Sequence, residues 1–139
     1  MQSFIQQLIA NNGVYTLIYK DEFSFVGSNI FNLEDGSPVP VWCFWSNVDS
    51  ANLNRQSDWK LYEPEFFPIA NFIEDVLVQM ANEGFIIGID FNENLEGMEA
   101  DPLDLLLEII KQLKSANITV ELDYFKDIDD LEKQARKFL

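Results

Sequence analysis

Apolar residues recur along this chain in two rhythms, one helical and one extended, and the changeovers mark the elements. Phe4, Ile5, Leu8 and Ile9 keep helical spacing, so the chain opens on an amphipathic helix. Asn11-Asn12-Gly13 ends it, with Gly13 suited to a left-handed C-terminal position. Val14–Tyr19 is apolar on both faces and predicts a central strand. Asp21-Glu22 turns the chain into a second strand around Phe23–Val26, and Gly27-Ser28-Asn29 turns it again toward a third at Ile30–Leu33. Past the turn signal Glu34-Asp35-Gly36-Ser37 comes an aromatic strand, Pro38–Trp45, in which Pro40 argues for a strand start or an edge.

Residues 46–57 are polar and predict a helix around Val48, Ala51 and Leu53, with Ser46 as its cap. A short extended segment, Trp59–Tyr62, follows and ends at Glu63-Pro64. The clearest helix begins near Pro68, where Ile69, Phe72, Ile73, Val76, Leu77 and Met80 form one apolar stripe, and Glu83-Gly84 closes it. Phe85–Ile89 is a buried strand by length and branching, with Gly88 marking a close backbone approach. An acidic loop, 90–101, leads to Asp101-Pro102, the signature of an N-cap followed by proline in the first turn. The helix it starts runs to about Lys114, with Leu103, Leu106, Leu107, Ile110 and Leu113 on one face. Ile118–Leu122 alternates apolar and polar and predicts a peripheral strand. The last helix, about 127–138, turns Ile128, Leu131, Ala135 and Phe138 inward and carries its acids first and its bases last, as the helix dipole favours. The sum is one α+β domain over residues 1–139: a mixed, mostly antiparallel sheet of about five to six strands with about five helices packed on it.

Charge narrows the functional classes. There are 24 acidic residues against 9 basic ones, a net charge of −15, and no histidine. Losing imidazole removes the usual proton shuttle and the commonest metal ligand. The 90–108 stretch holds Asp90, Glu93, Glu96, Glu99, Asp101, Asp104 and Glu108 with no base among them. Such a field repels phosphate backbones, so nucleic acid is not an expected partner. A basic protein or a cation is. No apolar run approaches the ~20 residues of a membrane helix. The opening residues carry neither a basic region nor a long apolar one, and Cys43 is the single cysteine, so a cytoplasmic chain without a disulfide framework is expected.

A resemblance emerges from tryptophan and proline placement. The strand pair, Pro38-Val-Pro-Val-Trp42, the polar helix, Trp59-Lys-Leu-Tyr62-Glu-Pro64, the apolar helix and Gly84-Phe-Ile-Ile-Gly88 occur in order. Over roughly residues 1–91 this resembles the small bacterial family known as domain of unknown function 2750. It is more loosely similar to the N-terminal domain of the type III secretion regulator SseB. The resemblance implies a small bacterial α+β protein and transfers no catalytic residue.

The sharpest chemical pattern is Asp90-Phe-Asn92-Glu-Asn94-Leu-Glu96-Gly-Met-Glu99-Ala-Asp101, whose oxygen side chains are spaced like a calcium-binding loop. Leu95 stands where that loop requires glycine, Asp101 where it requires glutamate, and Asp101 is explained as a helix cap. No metal or cofactor is therefore assigned. Cys43, within Val41–Trp45, has no histidine partner and reads as a buried, inert thiol. Strand alternation puts Trp42 with Phe44 on one face and Cys43 with Trp45 on the other. Trp59, flanked by polar residues, is the aromatic expected at the surface. These readings favour a non-enzymatic interaction module of the adaptor or immunity type. Its partner-binding residues are Asp90, Glu93, Glu96, Glu99, Asp101, Asp104 and Trp59. The alternatives are a divalent-metal or carboxylate-dependent hydrolase using the 90–101 loop, and a DNA mimic.

Overall fold

Val14–Tyr19 is central because hydrogen-bonded neighbours flank it on both sides. A computed structural model describes residues 1–138, and in it β1 (Gly13–Tyr19) lies between β2 (Glu22–Phe23) and β5 (Glu63–Pro68), antiparallel to each. The remaining strands are β3 (Phe25–Asn32), β4 (Pro38–Phe44), β6 (Ile86–Ile89) and β7 (Met98–Ala100). They form a second sheet in the order β3-β4-β6-β7, in which β4 and β6 are parallel and the other pairs antiparallel. The class is α+β, but the strands divide into two sheets where the sequence suggested one.

The reason for the division lies at the seam between β1 and β4. Regular backbone pairing there is reduced to one bridge, Tyr15 with Trp45. Buried hydroxyls fill the gap. Thr16 Oγ1 donates to the Cys43 carbonyl (2.7 Å) and accepts from Trp42 Nε1 (3.0 Å), and Ser24 Oγ accepts from the Leu17 N–H (3.3 Å). Side chains thus satisfy donors and acceptors that a continuous ladder would otherwise pair.

Helices α1 (Gln2–Ala10), α2 (Val48–Leu53), α5 (Pro102–Ser115) and α6 (Ile128–Arg136) match the predicted ones in place. The rod beginning after Pro68 consists of α3 (Ile69–Asn71), a π-helical stretch Phe72–Val76, and α4 (Leu77–Glu83), closed by Gly84 at φ 75°. The wide π turn broadens its buried stripe to include Glu74, which is only 5% exposed. Glu74 has no cationic partner among the described residues; its carboxylate accepts the N–H groups of Asp123 (2.8 Å) and Tyr124 (2.6 Å).

That clamp bears on another difference. Residues 118–122 form no strand. Their alternation is real, since Ile118, Val120 and Leu122 pack on the core, but no backbone lies alongside to make a ladder. Other local readings shift too. The left-handed residue after α1 is Asn12 (φ 59°), while Gly13 is required because a Cβ there would sit 2.3 Å from the Phe67 carbonyl oxygen. Asn47, not Ser46, caps α2, accepting from the Ser50 N–H (2.9 Å). Gly27-Ser28-Asn29 does not end a strand: β3 continues through it with an irregular register. Trp59 closes a short 3-10 turn, Ser57–Trp59, and the extended backbone starts only at Glu63. Pro40 sits in an interior strand, tolerated because pairing with β6 begins one residue later at Val41. Phe138 is 73% exposed rather than inward, as α6 stops at Arg136.

Two cores follow from the alternation along β4. Trp42 and Phe44 pack with the helices, against Phe4, Phe72, Leu106 and their neighbours. Val41, Cys43 and Trp45 face a smaller cluster of Leu17, Ala51, Trp59 and Phe91. All three tryptophans are buried, including Trp59 at 6% exposure, which overturns its expected place at the surface. It packs edge-on against Trp45, with ring centroids 5.9 Å apart.

Candidate functional site

The acidic loop leaves β6 at Asp90, whose backbone is left-handed (φ 49°). Asn92 organises the turn beyond it. Its Oδ1 accepts the N–H groups of Asn94 (2.9 Å) and Glu96 (3.1 Å), while its own N–H donates to the Glu96 carbonyl (2.8 Å). Gly97 lets the loop fold back on Phe91, since a Cβ there would lie 2.5 Å from the Phe91 ring. The Phe91 carbonyl in turn accepts from Trp45 Nε1 (2.9 Å) and Asn54 Nδ2 (3.0 Å), tying the loop to the smaller core.

Three of the predicted acids are occupied in holding the fold. Asp90 accepts from the Ser46 N–H (2.8 Å) and hydroxyl. Glu99 lies in β7, not in a loop, and its carboxylate takes the Ser28 hydroxyl and the Asn29 N–H (3.1 Å). Asp101 caps α5 through the N–H groups of Leu103 (2.8 Å) and Asp104 (3.3 Å). Glu93 and Glu96 remain exposed on the loop, the latter accepting a 3.3 Å hydrogen bond from Asn92 Nδ2. Asp104 is exposed but elsewhere: it opens on a hollow shared with Lys111, Lys114 and Arg136.

The calcium-like spacing does not become a coordination sphere. Asp90 turns toward Ser46, Asp101 toward its own helix, and the Asn92 oxygen is spent on backbone. Among the described residues, no three His, Cys, Asp or Glu side chains gather as a metal-holding group.

Beside the loop lies a cleft of about 220 Å³. It is lined by Phe25, Asn54, Asp58, Trp59, Tyr62 and Glu93 among others. Asn54 is 2% exposed and sits at the C-terminus of α2. Its Nδ2 donates to the carbonyls of Ser50 (3.0 Å) and Phe91 (3.0 Å), which fixes the amide orientation because both partners can only accept. Its Oδ1 has no donor, the one orphaned buried side-chain atom among the described residues. Gln56 Nε2 donates to the Glu93 carbonyl (3.0 Å), joining the segment after α2 to the acidic loop. Burial, then the charges of Glu22 and Asp58, raise the Tyr62 phenol above its ordinary value, so it stays protonated. The sequence carried no signal for Asn54; only the fold brings its amide to the loop.

A larger groove of about 660 Å³ runs between α4 and α6, walled by Val78, Leu103, Tyr124, Leu131 and Phe138. Its acid, Asp130, already accepts from the Lys126 N–H (3.1 Å) and Gln134 Nε2 (3.4 Å).

Charge pairing is lopsided. The ion pairs among the described residues all join α5 to α6 or lie within α6: Lys114 with Asp129 and Glu132, and Arg136 with Glu132. Among the described residues, no carboxylate of the 90–104 stretch forms an ion pair with a Lys or Arg. Cys43 contributes no chemistry, since burial, helped by the nearby Glu99 charge, pushes its thiol up to about 12. No helix among the described residues is long and apolar enough to cross a membrane.

No curated protein and no solved structure matches the chain. The family model described as "Protein of unknown function (DUF2750)" matches residues 1–109, reaching past the aromatic strand and apolar helix to take in the acidic loop and the first half of α5. The chain belongs to that family.

Proposed function

We propose that this protein is a non-enzymatic binding module that docks a basic protein partner on the 90–97 loop, with Glu93 and Glu96 as the exposed contacts. One observation supports this reading: among the described residues the loop's carboxylates form no ion pair, while the bases that do pair are gathered on α5 and α6. Unneutralised charge on a well-braced loop favours fast association with an oppositely charged surface and little reorganisation on binding. A carboxylate hydrolase needs two carboxyls set across a cleft, one of them in an apolar environment. The two acids of the 220 Å³ cleft, Asp58 and Glu93, are both exposed. The adaptor or immunity role is the biological form this reading takes.

The test is affinity capture from lysate with the wild type and with a Glu93→Lys/Glu96→Lys double variant, at low and high salt. A stoichiometric basic protein should be retained at low salt, released as salt screens the loop, and absent with the variant. Equal capture by both proteins would remove the loop from the interaction.

A further inference from the structure

The chain past α5 is fastened differently from the rest. Asn117 turns it back with a left-handed backbone (φ 54°), and residues 118–125 then pair with no strand. Ile118, Val120 and Leu122 of this strap pack on the core but stay only half-buried. Glu74 holds the strap's far end through the Asp123 and Tyr124 N–H groups. Helix α6 follows, and of its nine residues only Leu131 and Ala135 are buried. Its charged tie to α5 is Lys114, which pairs with Asp129 and with Glu132 (2.7 Å). The 660 Å³ groove between α6 and α4 leaves its packing incomplete on that side. A helix this short is marginal in water by itself, so α6 melts once it leaves its seat. The family match ends at residue 109, and strap and helix both lie beyond it.

We propose that residues 118–136 form a hinged cover over an apolar face of α4 and α5, which opens strap first and then α6 while both sheets stay folded. Strap and helix are consecutive, and each is held from outside at one polar point: the strap by Glu74, the helix by Lys114. Releasing either point lengthens the free tether of the other, so each fastening lowers the entropy cost of keeping its neighbour closed. Neither fastening is strong enough to make the cover as stable as the core. The Lys114 pairs are exposed and screened by salt, and water can replace Glu74 at the exposed Asp123 and Tyr124. Opening turns Val78 and Leu103, which line the groove together with Leu131 and Ala135, out to solvent. The closed chain therefore hides an apolar surface that the open one presents. The device uses no residue of the 90–97 loop and stands or falls apart from the docking reading.

The experiment is native-state hydrogen exchange by NMR on the full chain, with variants that cut one fastening and are read at the other. In the wild type, α6 amides should open about tenfold more readily, or more, than those of β1 and β4. Glu74→Ala cuts the strap's bonds, and the α6 amides should then exchange about fivefold faster or more. Lys114→Gln cuts the helix's tie, and the Asp123 and Tyr124 amides should then exchange about 2- to 5-fold faster, the range of an exposed ion pair. Lys114 is an exposed position, so this second variant folds and carries the test even if Glu74→Ala does not. Exchange of α6 only together with β1 and β4, through global unfolding, overturns the proposal. So does a Glu74→Ala chain in which the strap speeds up and α6 keeps its wild-type rate, or a Lys114→Gln chain in which Asp123 and Tyr124 are unmoved.

Discussion

Removing the Glu74 carboxylate should loosen the chain from Ile118 to Phe125 before it loosens anything else. Glu74 accepts the Asp123 and Tyr124 N–H groups at 2.8 and 2.6 Å. Hydrogen bonds to a charged acceptor contribute about 1.5–3 kcal/mol each, so two give about 3–6 kcal/mol as an upper range. Both donor residues are exposed, and water can take over their N–H groups after the carboxylate is lost. Desolvating the carboxylate in the wild type offsets more of the gain. About 2 kcal/mol is left for Glu74→Ala, equivalent to about 30-fold in an opening equilibrium. Glu74→Gln retains one acceptor oxygen and should fall between it and the wild type. Native-state hydrogen exchange is the assay, because it resolves local opening from global unfolding. Amides in 118–125 should exchange about 30-fold faster in Glu74→Ala, with smaller changes in β1 and β4. Exchange unchanged from wild type would show that Ile118, Val120 and Leu122 hold the segment by packing alone, and that the clamp contributes nothing.

Thr16→Val strips the sheet seam of its hydroxyl and leaves Trp42 Nε1 without an acceptor, while the Cys43 carbonyl keeps the Ser24 hydroxyl (3.4 Å), so urea unfolding should show a loss of about 1–3 kcal/mol. The Cys43 thiol stays protonated in the folded chain up to about 12 but ionises near its ordinary value of 9.0 once unfolded, so stability should decline as pH rises above 9.0. The limiting slope is about 1.4 kcal/mol per pH unit, and Cys43→Ala should remove that component from pH-dependent melts. At neutral pH the native thiol should resist a thiol reagent that labels it quickly in denaturant. Charge reversal at Glu93 and Glu96 should leave the melting temperature nearly unchanged, whereas Glu99→Lys or Asp101→Lys should lower it by several degrees through lost hydrogen bonds or the lost cap. Equal melting temperatures across all four variants would contradict the structural roles assigned to Glu99 and Asp101.

The hydrophobic rhythm was enough to place the helices and most strands of this protein. Apolar stripes at Phe4–Leu8, Ile69–Met80 and Leu103–Leu113 require no knowledge of neighbours, because a face of that width must be buried somewhere. The cap at Asp101-Pro102 and the closure at Gly84 were equally legible, being local in backbone chemistry. So was the two-sided character of Val41–Trp45, with Cys43 enclosed. The limits of this reading appear wherever a partner from far along the chain decides the outcome. Ile118–Leu122 has a strand's alternation but no strand beside it, and Glu74 holds its end instead. Trp59 has polar neighbours in sequence yet packs on Trp45, because the turn before β5 folds it under. Composition marked 90–101 as acidic; only the fold separated Glu93 and Glu96, exposed at the surface, from Asp90, Glu99 and Asp101, committed to backbone and hydroxyl groups. Asn54 shows the division most plainly. Its amide meets Phe91 across 37 residues of chain, and its oxygen is buried without a donor only once that contact has formed. Periodicity and capping are properties of a segment, and the sequence determines them directly; hydrogen-bond satisfaction and shared clefts belong to pairs of distant segments, and tertiary structure alone decides them.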